Sequence, residues 1–80
     1  MAQCSIVGNR RVDMEREGIH GWSLFINRKE RNVNGLLAEK LFLSDDMCRS
    51  DLDGVVPQPG QTMTFEFSRN GKLGEVFELA

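Results

Sequence analysis

The clearest period in the chain runs from Thr62 to Ser68, where Met63, Phe65 and Phe67 alternate with Thr62, Thr64, Glu66 and Ser68. A two-residue alternation of this kind predicts a strand with one apolar face. Arg69-Asn70-Gly71-Lys72 has the composition of a tight turn, and Leu73 to Leu79 returns as a last strand with Phe77 and Leu79 on one parity. Upstream, Cys4 to Met14 reads as a first strand, with Ile6 and Val12 on one parity and Val7 on the other. Gly8 interrupts it, and a glycine inside a strand pattern marks a bulge or a sharp bend. Glu15 to Gly18 reads as a hairpin turn, and a second strand runs from about Gly21 to Lys29. In that strand Trp22, Leu24 and Ile26 share one face, leaving Ser23, Phe25 and Asn27 on the other. Phe25 is the odd residue: it either fills a second, smaller cluster or stands in solvent among polar neighbours, where it would be a binding signal. A polar, mostly basic loop from Arg28 to Asn34 ends in the turn pair Asn34-Gly35, and a third strand follows from Leu36 to Leu43.

Ser44-Asp45-Asp46 has the grammar of a helix start, a hydroxyl to cap the first N–H groups and two carboxylates at the positive end of the dipole. Met47, Cys48 and Leu52 fall on one face of that short helix, and Gly54 is placed to stop it. Pro57-Gln58-Pro59-Gly60 is then a rigid connection. Three strands, a helix and a hairpin is the element order of an oligonucleotide-binding barrel, in which the helix between strands three and four plugs one end. The expected fold is therefore mainly β, a small five-stranded OB-like barrel with one short helix, occupying residues 1–80 as a single domain. An SH3-like barrel and an open α+β sheet are the alternatives.

A chain of 80 residues supports one modest core and no second domain. No apolar run approaches the roughly 18 residues of a membrane span, and the segment Met1 to Gly8 lacks the basic and apolar regions of a secretory signal, so a cytoplasmic protein is expected. Cys4 and Cys48 have no CxxC partner and read as free thiols. Phosphate loops, GxSxG, HExxH and metal-ligand spacings are all missing, there is no Tyr, and the one histidine, His20, lies in a turn. Catalysis, a metal and a cofactor are not expected. The acidic run from Ser44 to Gly54 lacks the ligand alternation of a calcium loop and reads as a solvated helix face.

The net charge is −2, yet its distribution is uneven: residues 1–40 carry seven basic side chains against five acidic, and residues 41–80 carry three against seven. Basic residues gather at Arg10 and Arg11 on strand one, at Arg28, Lys29 and Arg31 after strand two, and at Arg69 and Lys72 on the last hairpin. A cationic track beside aromatic faces, here Phe25 and Phe42, is what a single-stranded nucleic acid requires. The candidate nucleic-acid-binding residues are Arg10, Arg11, Phe25, Arg28, Lys29, Arg69 and Lys72. The alternative is a protein-interaction module, such as a phage or plasmid inhibitor, docking through Asp45, Asp46, Asp51 and Asp53.

Two segments carry a family resemblance. Val33-Asn34-Gly35-Leu36-Leu37-Ala38-Glu39-Lys40-Leu41-Phe42-Leu43-Ser44 resembles a V-x-G-x-x-A-E-x-x-F-x-S pattern, and Pro59 to Leu73 resembles a V-G-D-x-V-x-V-x-Y-N-R-Y-G-K-V hairpin. Both patterns belong to very small OB-type single-stranded DNA-binding proteins of bacterial mobile elements and phages, similar in architecture to the filamentous-phage helix-destabilising protein. The resemblance implies a cytoplasmic, non-catalytic protein that coats transient single strands with little sequence preference, with a homodimer as the implied assembly. Arg69, Gly71 and Lys72 match the hairpin tip, whereas Asn70 replaces its aromatic residue and Phe67 stands in place of a Tyr.

Overall fold

The computed structural model describes residues 2–67 and 73–79. Strand β1 spans Ala2–Met14, a single 3-10 turn covers Glu15–Glu17, and β2 spans Ile19–Arg28. Strand β3 (Leu37–Ser44), helix α1 (Asp45–Leu52), β4 (Thr62–Phe67) and β5 (Leu73–Leu79) follow. The chain is mainly β, with strands in the order β3-β2-β1-β4-β5 curling as a half-barrel and one helix beside them. All ladders are antiparallel. The turn expected at Arg69 to Lys72 lies outside the described residues.

Gly8 is the site of a bulge. The β1–β2 register passes from Ile6 opposite Ile26 to Gly8 opposite Phe25, leaving Val7 without a partner. An extra residue reverses the alternation of a strand. Cys4 and Ile6 are therefore buried, while Val12, expected to share the parity of Ile6, lies opposite Gly21 on the outer face and is only half-buried. Below the bulge β1 also serves a second neighbour, pairing with β4 from Ala2 to Ser5. Ile6 itself donates its N–H to the carbonyl of Gln61 and accepts from Gly60 N–H.

The core collects Cys4, Ile6, Leu24, Ile26, Leu41, Leu43, Met63 and Phe65 from the inner faces of the strands, closed by Cys48 and Leu52 of α1. Trp22 shares the parity of Leu24 and Ile26 but is only half-buried, packed at the margin of the cluster. Both thiols are free, and burial pushes the Cys4 thiol up to about 11, where it is protonated at neutral pH. Helix α1 begins as its sequence dictates: Ser44 Oγ accepts from Met47 N–H at 3.1 Å, and Asp45 and Asp46 occupy the first turn. It ends at Leu52, with Asp53 in the left-handed conformation and the Gly54 N–H returning to the Cys48 carbonyl.

Candidate nucleic-acid interface

Because Leu24 and Ile26 are buried, their neighbours Ser23, Phe25 and Asn27 stand on the outer side of the sheet. Register then fixes the rows of that outer face. Phe25 lies between Lys40 of β3 and Gly8 of β1, and Ser23 lies between Phe42 and Arg10. One row further along, Gly21 lies between Ser44 and Val12, and beyond it Ile19 opposes Met14. On the other side of Phe25, Asn27 lies between Ala38 and Ser5.

Gly21 shapes this face. A Cβ on Gly21 would stand 2.3 Å from the Leu43 carbonyl oxygen and 2.7 Å from Phe42 Cζ, so the Phe42 ring lies across Gly21 in space only glycine leaves open. A Cβ on Gly8 would be 3.7 Å from Phe25 Cδ2, placing the edge of the Phe25 ring against β1. Phe42 is 38% exposed and Phe25 is half-buried. A groove of about 320 Å³ runs beside Phe25, lined by Val7, Asn27, Ala38 and Lys40 together with Ile26 and Glu39.

Charge is sorted between the two sides of the sheet. Among the described residues of β1, β2 and β3, the outer face carries Arg10 and Lys40, both exposed, and no carboxylate. The inner side carries the ion pairs. Arg11 donates to both carboxylate oxygens of Asp45 at 2.7 and 2.9 Å and to Asp13 at 2.9 and 3.2 Å, with His20 Nδ1 3.0 Å from Asp13. Arg28, its side chain 10% exposed, reaches Glu39 and Glu30 at 2.5 Å each. In a chain of net charge −2, the outer face of β1, β2 and β3 is cationic because the carboxylates of those strands, Asp13 and Glu39, lie on the inner side.

Of the sequence candidates, the structure brings together Arg10 and Phe25. Arg11 and Arg28 are each held by two carboxylates away from that face. Lys29 is exposed just past the end of β2, at the mouth of a polar groove with Gln3, Ser5, Asn27 and Thr62. Arg69 and Lys72 lie outside the described residues. Phe42, a candidate stacking face, does stand outward. Lys40 joins them on the outer face although it is no member of the basic pairs along the chain; the alternation of Ala38, Lys40 and Phe42 with Glu39, Leu41 and Leu43 is the signal that marks it.

The Arg11 guanidinium holds the Asp45 and Asp13 carboxyls below the usual carboxylate range. A carboxylate with a depressed folded-state pKa contributes stability that is complete above its unfolded value, near about 4, and is lost as pH falls through the folded value. The urea midpoint is therefore expected to fall in acid below about pH 4. Denaturation series across that range should show a shallower fall for Asp45→Asn than for the parent.

Among the described residues no cluster of His, Cys, Asp and Glu could hold a metal ion, and no helix is long and apolar enough to cross a membrane. Comparison with known protein families, curated proteins and solved structures finds no match.

Proposed function

We propose that the chain binds single-stranded DNA without sequence preference, across the outer face of β1, β2 and β3. The observation that carries this reading is the composition of that face: two partly exposed aromatic rings, Phe25 and Phe42, beside Arg10 and Lys40, with the carboxylates of the same strands engaged on the opposite side. Phe25 and Phe42 are diagonal neighbours across the β2–β3 ladder, a placement whose Cβ separation of roughly 7–8 Å suits rings that each carry one of two adjacent bases. Lys29 adds an exposed cation just past the end of β2; Arg69 and Lys72, candidates from the sequence, lie outside the described residues. The sheet order is the unrolled order of an OB-like barrel, which closes when β3 meets β5, and the setting is a phage or mobile element, as the sequence resemblance implies.

Titration of fluorescent single- and double-stranded oligonucleotides at several salt concentrations tests the reading. Single strands should bind more tightly than duplex, because paired bases cannot reach the rings. The log–log salt dependence should have a slope near roughly −2, about three phosphate contacts at −0.7 each. Equal affinity for duplex, or a flat salt response, would sink the proposal and leave the acidic α1 surface of Asp46 and Asp53 as the docking face to pursue.

A further inference from the structure

We propose that Arg10 and Phe25 form a clamp for one planar base, with the Arg10 guanidinium closing over the base instead of pairing with a phosphate; this rests on the single-strand reading above. The guanidinium carbon lies over the Phe25 ring, 5.8 Å from its centroid. Two π planes in contact stand about 3.5 Å apart, so a base held between two planes needs roughly 7 Å. The guanidinium already covers the ring at the outer range of a cation–π contact, so it must swing outward to admit a base. Arg10 is exposed and, among the described residues, has no carboxylate partner, so no ion pair opposes that rotation.

Arg11 provides the contrast one residue along the same strand. Its guanidinium lies over Trp22 at 5.6 Å, nearly the same spacing, but Asp13 and Asp45 hold it there on the other side of the sheet. That pair is a fixed piece of the fold, and the Arg10–Phe25 pair is free to open. The edge of the Phe25 ring rests against β1 at Gly8, and Lys40, opposite Phe25 on β3, supplies an ammonium beside the slot. Ring, guanidinium and ammonium thus take separate parts: the first two hold the base and the third holds its phosphate. The slot reads a π face and not a hydrogen-bonding edge, so it accepts any unpaired base and excludes a base still stacked in duplex.

Salt-dependent titrations of the whole chain with an oligothymidine strand and with an abasic strand of equal length separate the two roles of Arg10. Arg10→Ala should weaken binding of the thymidine strand by about three- to thirty-fold, the range from an exposed to a desolvated cation–π contact. Its binding of the abasic strand should stay within about twofold, and its salt slope should change by less than half of the ~0.7 that one phosphate contact contributes. Arg10→Lys should restore only part of the affinity, since an ammonium keeps a cation–π attraction but has no planar face. Lys40→Ala should do the opposite, weakening both strands and reducing the slope by about 0.7. Equal losses on both strands with Arg10→Ala, a slope reduced by about 0.7 and full rescue by Arg10→Lys would make Arg10 a phosphate contact and overturn the clamp. If the parent binds the thymidine strand no better than duplex, the functional reading itself fails and the clamp falls with it.

Discussion

Gly21→Ala is expected to cost about 3 kcal/mol of stability or more, the upper end of what overpacking a well-filled site does. The methyl group would meet the Leu43 carbonyl oxygen at 2.3 Å and Ser44 Cα at 2.8 Å, and both are backbone atoms of the neighbouring strand. A flexible side chain could turn aside; a paired strand cannot without breaking its ladder. The displacement would also fall on Ser44, which caps α1, so β3 and the helix start would move together. Urea melts of the purified variant measure the loss. A variant within about 0.5 kcal/mol of the parent would show that β3 is not held where the structure places it.

Replacing both Phe25 and Phe42 by alanine should remove roughly 2–5 kcal/mol of single-strand affinity while leaving the domain folded. Each base–aromatic stack contributes about 1–3 kcal/mol, and the two rings serve different bases, so their losses should nearly add. Stability should fall much less than for a core phenylalanine such as Phe65, because neither ring is fully buried. Thermal melts and oligonucleotide titrations on the single and double variants decide the matter. If the double variant unfolds as readily as Phe65→Ala, the rings are core and the outer face is not a stacking platform. Unchanged affinity in a folded double variant would remove the rings from binding altogether.

Most of the secondary structure was legible because its signals are local. The alternation of Thr62 to Phe67, the Ser44-Asp45-Asp46 cap and the glycine in β1 each announce an element within a few residues. The candidate site was only partly legible, since its membership depends on which residues face each other across strands. Arg10 and Arg11 read as one basic pair, yet adjacent residues on a strand face opposite ways, and only Arg10 remains on the outer side. The engagement of Arg28 by Glu39 depends on how β2 and β3 align, a long-range fact that no short stretch contains. Trp22 shows a similar limit: its parity was right, but its place at the margin of the core leaves it half-buried.

The bulge at Gly8 gives β1 one residue more than its ladder with β2 uses. Val7 stands exposed and opposite no residue of β2. Were it lost, Ile6 would still oppose Ile26 and Gly8 would still oppose Phe25, so Arg10 would keep the outer face and Arg11 the inner one. A lost codon at this position is slack taken up. Its cost falls on the bend between the part of β1 that pairs with β4 and the part that pairs with β2 alone.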